Sequence, residues 1–489
     1  MSIVFPDCDP KTTKSRRVSL LSALFVAPVL GVSMAIAASN PIELFDVDGV
    51  LAAQLGYSVC AVPDVNGDGK WDVAAGSRNI QTYEGPADSG KVTIFDGVTG
   101  TKLGTLFPFY SVQGSNFGDS ISGVPDTDGE GFGDVIVGDG AKAFIYDGKR
   151  HIVLQILYPS SPYSTGFGDA VAGLSDVDGD GFGDVIVGAR YEISKGGLTQ
   201  AGRVYVFSGH TGALIYSRDS PNAEAHSYFG HRVSSVPDVN GDGKQDVLVA
   251  SYETPADKPI NSGRVYLFDG MTSGLLCTFT SPNGEYGGGF GLGLCAIPDM
   301  NGDGKGDVLI GAPWESIGSI SEAGRVYLYD GVTGNLLHIF LSPNKQERGG
   351  FGDSVASIPE VNEDGHSELL ISAPGEAGDS GYVYLFDGVT GRLLRVFTSP
   401  HARYSGAFGC AVAALSDVNA DGRGDAIIGA YGESVPPQQA SWYGRAYIFH
   451  LEPGPPASVG INWTLYDSAP GSLGFRAGES GVAAPLPVK

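Results

Sequence analysis

Asp64, Asn66, Asp68 and Asp72 fall within nine positions of the stretch PDVNGDGKWDV. Lys70 is the one cation among them, and its neighbours predict a side chain pointing outward. At an effective dielectric of about 20, two carboxylates about 4 Å apart repel by about 4 kcal/mol. Three converging ones therefore cost on the order of 10 kcal/mol unless a positive charge sits between them. A bound cation removes that cost. For a single copy, a plain turn built from Asn, Asp and Gly is an equal alternative, so the number of copies decides.

There are seven copies. Positions one, three, five and nine hold Asp126, Asp128, Glu130 and Asp134 in the second, then Asp176, Asp178, Asp180 and Asp184 in the third. The fourth and fifth hold Asp238, Asn240, Asp242, Asp246 and Asp299, Asn301, Asp303, Asp307. The sixth has Glu360, Asn362, Asp364 and Glu368, with Glu363 in place of glycine at position four, and the seventh has Asp417, Asn419, Asp421 and Asp425. Successive first acids lie 62, 50, 62, 61, 61 and 57 residues apart, a period of repeat architectures and not of duplicated helix pairs.

The elements that must position these loops repeat with them. Before each loop comes an aliphatic residue and a small pair, such as Val59 with Cys60 and Ala61, or Ile121 with Ser122 and Gly123. After it come runs such as DVIVGA, then GRVYLFDG, a VTG turn and LLxxF. Each unit reads as four short strands rich in β-branched and aromatic residues. Four antiparallel strands cannot bury both faces alone, whereas seven such sheets around an axis can, so the fold class is an all-β, seven-bladed β-propeller over residues 40–450. The small pairs are expected where blades crowd together. The seventh unit lacks its LLxxF strand, and IELF at 42–45 is expected to supply it and cover the edge. INWTLY at 461–466 is the competing candidate.

Residues 1–37 read as an export signal: Lys14, Arg16 and Arg17 precede an apolar run ending in Ala35-Ile36-Ala37. The SRRVSLL stretch is close to a twin-arginine signal, leaving that route and the general secretory one open, with a retained anchor as the alternative to cleavage. Secretion or cell-surface display follows. Residues 451–489, rich in Pro, Gly and Ser, read as a linker-like tail. The chain has a net charge of −25, or −27 without residues 1–37, which argues against nucleic acid as a partner. Cys60, Cys277, Cys295 and Cys410 have neither metal-ligand spacing nor scaffold density and are expected as small buried residues.

Ahead of the loops stand Phe117-Gly118, Phe167-Gly168, Phe229-Gly230, Phe290-Gly291, Phe351-Gly352 and Phe408-Gly409, with Leu55-Gly56 in the first copy; GAP, SAP, GAR or GAY follow downstream in several copies. Together these resemble the FG-GAP repeat of integrin alpha-subunit propellers and of many exported bacterial proteins. The near-full set of acidic loops points to the bacterial branch. The resemblance implies that the loop joining the first two strands of a blade binds calcium. It also implies ligands at positions one, three, five and nine, with the backbone carbonyl of position seven: Lys70, Phe132, Phe182, Lys244, Lys305, His366 and Arg423. Such all-oxygen ligation suits Ca²⁺. An EF-hand is excluded because position twelve is Ala75 or Val137 and not Glu. The sixth loop, with its glutamates, fits least well. The loops hold 24 of the 55 acidic residues, and seven Ca²⁺ ions would bring the mature charge to −13.

Calcium would then occupy the face opposite the most variable loops. Those carry an aligned Glu192, Glu253, Glu315, Glu376 and Glu433, preceded by Tyr191, Tyr252, Trp314, Gly375 and Gly432; the connections between blades present Tyr163, Tyr286 and Tyr404. They are candidates for protein or sugar recognition, but their repetition in copy after copy favours a structural role. Catalysis finds little support: the eight histidines are scattered, and no GxSxG, HExxH or phosphate-loop motif occurs. The expectation is a monomeric, secreted, calcium-binding module for an extracellular protein or glycan. A lectin with sugar sites between blades, favoured by aromatics at equivalent inter-blade positions, and a channel enzyme acting on polysaccharide, favoured by convergent carboxylates or histidines, are the alternatives.

Overall fold

The runs of Val, Ile, Ala and Gly that follow each acidic loop are the most deeply buried strands of the protein. Asp184–Ala189 and Asp425–Ala430, for example, are buried at every residue. Such uninterrupted burial belongs to a strand flanked by hydrogen-bonded neighbours and covered on both faces. In the computed structural model, which describes residues 40–45, 54–78, 89–109, 115–161, 165–255, 258–259, 261–434 and 443–451, each of these runs is the second strand of a four-stranded antiparallel sheet.

There are seven such sheets among the described residues. Their first strands are Leu55–Val62, Ile121–Val124, Phe167–Leu174, Arg232–Val236, Leu294–Ile297, Val355–Ile358 and Val412–Leu415. These neighbour one another in a closed ring, so they form the inner wall of a seven-bladed propeller, with fourth strands such as Leu275–Thr280 outside. The small residues on the first strands serve this crowding. A Cβ on Gly123 would lie 2.4 Å from the carbonyl oxygen of Ala61 on the preceding blade, and one on Gly173 would lie 2.2 Å from that of Gly123. Cys60, Cys295 and Cys410 sit at this wall and Cys277 on an outer strand; all four are half-buried, not fully buried as expected, and free. Desolvation pushes the thiols of Cys60 and Cys410 up to about 12.

The ring closes through the N-terminal strand. Ile42–Leu44 pairs antiparallel with Arg445–Phe449, matching Ile42 to Ile448 and Leu44 to Ala446. Leu44 is fully buried, and Glu43 pairs with Arg445 of the same blade and with His401, whose Nε2 is 2.8 Å away. The competing segment 461–466, the export signal and the tail beyond 451 lie outside the described residues, of which no helix is long and apolar enough to cross a membrane.

The Phe-Gly pairs fix each first strand to its blade. All six phenylalanines are fully buried; Phe229 meets Tyr266 and Phe268 of its third strand edge-on, at 5.8 and 6.1 Å between centroids. The adjoining glycine holds a left-handed backbone against the previous blade. At Gly56 (φ 83°) a Cβ would lie 2.1 Å from the carbonyl oxygen of Arg445, so only glycine fits.

Candidate metal centres

The acidic loops all join the first strand of a blade to the second, at one end of the ring. Position nine begins the second strand, which buries it: Asp72, Asp134, Asp184, Asp246, Asp307, Glu368 and Asp425 are wholly inaccessible. Each of the six aspartates ties two segments together, while Glu368 takes only the Val361 amide. In the first blade, Asp72 Oδ2 accepts the Val65 amide at 2.9 Å and Oδ1 the Gly97 amide at 3.1 Å. Desolvation outweighs these donors and pushes the carboxyls of Asp72, Asp134, Asp184, Asp246 and Asp307 up to about 6, and that of Glu368 to about 8.

Position one curls its loop around itself. Asp64 accepts the amides of Gly67 and Gly69 at 2.6 and 2.8 Å, and Asp126 those of Gly129 and Gly131, both at 2.7 Å. These glycines hold φ between 79° and 89°; Glu363 and Ala420 hold left-handed backbone at position four of the sixth and seventh loops, at φ 67° and 62°. Position five accepts the amide of position seven, as in Lys70 to Asp68 at 2.7 Å and Arg423 to Asp421 at 2.9 Å.

The side chains at position seven do not simply point outward. Lys70 Nζ reaches the carbonyl oxygen of Asp417 in the last blade at 2.6 Å, and Lys244 Nζ that of Asp176 at 2.8 Å. Arg423 binds Glu363 and the carbonyl oxygen of Val361. The flexible aliphatic stems let the cations lie across the neighbouring loop instead of in solvent.

The donor set fits a hard divalent cation. In three loops, a carboxylate oxygen from each of Asp128, Glu130 and Asp147, of Asp176, Asp178 and Asp184, or of Glu360, Asp364 and Glu368 lies within 4.8 Å of the others. Oxygens around Ca²⁺ at about 2.3–2.6 Å span up to about 5 Å. The Glu130 and Glu368 Oε1 atoms are buried without a partner, as acceptors awaiting a cation would be.

One acidic position escaped sequence reasoning. The aspartate of the repeated FDG or YDG at the end of the third strand (Asp96, Asp147, Asp269, Asp330, Asp387) stands against the loop. Asp96 Oδ2 accepts Asn66 Nδ2 at 3.2 Å, and Asp269 Oδ2 accepts Asn240 Nδ2 at 3.1 Å. Its recurrence at one register in five blades was the available signal; Ser208 and His450 take the position in the third and seventh.

With seven blades, their buried Phe-Gly pairs and their acidic loops in place, the comparisons fall into register. FG-GAP repeats match residues 55–95, 167–207, 229–268, 290–329 and 351–386, the first and the third to sixth blades. The chain carries FG-GAP repeats. It is 30% identical to integrin alpha-2 of Bos taurus over 245 residues, covering 46% of this chain and 20% of that one. It is 29% identical to integrin alpha-4 of Xenopus laevis over 242 residues, 47% of this chain and 22% of that one. To integrin alpha-IIb of Mus musculus it is 35% identical over 151 residues, 28% of this chain and 14% of the other. The chain thus spans about a fifth or less of these integrin subunits. The second and seventh blades have the same four-stranded build and the same Phe-Gly geometry as the matched FG-GAP blades.

On the opposite face the aligned glutamates take the structural role that their repetition favours. Glu192, Glu253, Glu315, Glu376 and Glu433 are buried, at 1% exposure or less, each taking the hydroxyl of a third-strand tyrosine: Tyr205, Tyr266, Tyr327, Tyr384 or Tyr447. Serines reach Glu253, Glu315 and Glu376 from the preceding connection. These glutamates anchor the FG-GAP blade and are closed to a ligand. Tyr191 and Tyr252 are half-buried, whereas Tyr286, Tyr404 and Trp314 stand 70, 76 and 45% exposed; Tyr163 lies outside the described residues.

On the inner wall near this face, Asp119 and Asp169 converge, each with an arginine: Arg78 Nε at 3.4 Å and Arg190 Nε at 2.6 Å. Arg78 and Arg190 also cover the rings of Tyr57 and Tyr191. His231 stacks on Tyr252 at 4.1 Å, and burial together with Arg232 and Arg190 lowers it to about 3. Burial outweighs the guanidinium groups, pushing the Asp119 carboxyl up to about 6 and raising that of Asp169, while the histidine is held neutral.

Proposed function

We propose that this protein is a secreted, calcium-stabilised propeller that binds an extracellular protein or glycan on the face opposite its acidic loops. In this reading, Asp64, Asn66, Asp68, Asp72 and their counterparts in the other six loops hold Ca²⁺, with the position-seven carbonyls as further oxygens and the sixth loop as the least certain to fill. The ion's charge offsets that of the crowded carboxylates. The chain's own residues shape each loop, bury position nine and tie it to the turn after strand three, so metal uptake fastens the first hairpin of a blade to its second. Likeness to integrin alpha subunits supports a binding module over an enzyme.

The observation that carries the binding face is the exposure of Tyr286, Trp314 and Tyr404 on connections at the end of the ring away from the acidic loops. Large aromatic surface with a polar handle gives contact area at low entropic cost. A second reading, a lectin, draws on a specific feature: Tyr286 and Tyr404 stand at the same place, four residues before the Phe-Gly pair, in two inter-blade connections. A glycan array and a panel of extracellular matrix proteins, each probed in Ca²⁺ and in EGTA, separate the two. Binding to one panel that falls at least tenfold in the Tyr286→Ala, Trp314→Ala, Tyr404→Ala variant, with an unchanged melting curve, is the expected result. Undiminished binding by that variant refutes this face.

A further inference from the structure

The second blade departs from its neighbours at the turn after its third strand. Three residues beyond the third-strand position, five blades carry threonine (Thr99, Thr211, Thr272, Thr333, Thr390), and the second carries Arg150. The turn itself is unchanged. The Arg150 amide donates to Asp147 Oδ1 at 2.7 Å, as the Thr99 amide does to Asp96 and the Thr272 amide to Asp269, at 2.8 and 2.7 Å. Only the side chain differs, and it folds back over the acidic loop. Its guanidinium binds Asp128 and Asp147 and lies 3.5 Å from Glu130. Those three carboxylates form one of the clusters whose oxygens converge within 4.8 Å.

Charge counting gives this placement a purpose. The first, third, fourth and fifth loops, each taken with its third-strand residue, hold four carboxylates. The second holds five, because Asp128 replaces the asparagine found at position three of the first, fourth and fifth loops, and Asp147 adds to it. One guanidinium restores the balance of those four loops; the sixth, with Glu363 and Asp387, also holds five and has Arg423 on Glu363, and the seventh holds three. Elsewhere among the described residues, Lys244 lies 3.4 Å from Asp176, Lys305 3.9 Å from Asp238, Arg423 2.5 Å from Glu363 at position four, and His450 Nδ1 3.3 Å from Asp425 at position nine. None of these bridges positions three and five to the third-strand aspartate.

We infer that Arg150 is the resident cation of the second acidic loop, holding its carboxylates together without metal and competing with Ca²⁺ for them. The inference rests on the reading that the acidic loops take up Ca²⁺. It makes the second loop the one whose fold depends least on the ion and whose affinity is set by a side chain. Arg150 is half exposed, at 49% for its side chain, so it can swing aside when the ion enters.

Arg150→Thr tests this with the turn kept as in five other blades. Native mass spectrometry of the full chain across buffered free Ca²⁺ counts the ions bound. The variant is expected to take up one ion at a free Ca²⁺ concentration about tenfold or more below that at which the wild type does. Hydrogen exchange of the wild type needs no variant: on adding EGTA, peptides covering 238–246 should lose protection while those covering 126–134 keep it. Ca²⁺ uptake that is identical in wild type and variant, or equal loss of protection in both loops, overturns the inference while leaving calcium binding intact. No Ca²⁺ uptake by either protein overturns both.

Discussion

Replacing Asp246 by asparagine separates a metal ligand from an ordinary turn residue, because the two roles predict different losses with and without Ca²⁺. Asp246 is inaccessible; its Oδ2 accepts the Val239 amide at 2.9 Å and its Oδ1 the Gly270 amide at 3.2 Å. Asparagine keeps one acceptor and turns its NH₂ toward the other amide, leaving a buried donor unmatched at a cost of about 1–3 kcal/mol. Against this, burial first of all, with Asp269 and Asp242 nearby, pushes the Asp246 carboxyl up to about 6, so at pH 8 without metal its ionised form is costlier in the folded protein than in the unfolded one. Removing that charge returns on the order of 1–3 kcal/mol. The two terms nearly cancel, and in EGTA the variant should match the wild type within about 1 kcal/mol. In Ca²⁺ at a hundredfold over its dissociation constant, a filled site contributes about 2.7 kcal/mol that the variant forfeits. Differential scanning calorimetry of both proteins in 5 mM CaCl₂ and in EGTA, with concentrations set at about a hundredfold excess, reads the difference. The variant should fall several degrees below the wild type in Ca²⁺ and coincide with it in EGTA. An equal deficit in both buffers refutes the metal role of position nine.

Two further perturbations probe how the blades are held. A Cβ on Gly138 would lie 1.8 Å from the carbonyl oxygen of Gly168 in the next blade, so Gly138→Ala should cost about 3 kcal/mol or more. Gly131→Ala, where nothing lies within 4 Å of the added atom but φ is 87°, should cost only about 1 kcal/mol; urea midpoints in Ca²⁺ compare them. At Glu376, burial raises the carboxyl against the hydroxyls of Ser342 and Tyr384 and the amide of Asn344. Its share of stability is therefore complete below the unfolded value of about 4.3 and is lost as pH rises through the folded one. Glu376→Gln should accordingly gain on the wild type between pH 4 and pH 8, whereas Glu192→Gln, which strips Arg203 of a partner at 3.0 Å, should lose about 1–3 kcal/mol at pH 8. Melting both variants across this range would contradict the assignment if Glu376→Gln loses ground as pH rises.

The blades and their acidic loops were legible because their information is local and recurs at one register. PDVNGDGKWDV carries its turn, its acids and its first buried strand residue in eleven consecutive positions, and the missing last strand of the seventh unit pointed to IELF. The tyrosine partners of the opposite-face glutamates were not legible, because each lies across a loop of variable length. Glu192 precedes Tyr205 by 13 residues, Glu315 precedes Tyr327 by 12, and Glu376 precedes Tyr384 by 8. No fixed spacing links the pair, so repetition favours a structural role for the glutamate but only the folded hairpin shows which tyrosine it meets.

The same logic explains why Asp96 and its counterparts were missed even though their register is constant. An aspartate before a glycine already has a sufficient local role: Asp96 Oδ1 caps the turn through the amides of Val98 and Thr99, at 2.9 and 2.8 Å. Its other oxygen faces a loop some thirty residues earlier, a contact that exists only because the first and third strands flank the second. A residue that satisfies a local rule hides its long-range one. Arg150 exposes that second role, since it keeps the turn through its backbone while its side chain joins Asp147 to the acids of the loop across the sheet. The acidic centres therefore extend to the third strand, and the blade, not the nine-residue loop, is the unit that would hold an ion.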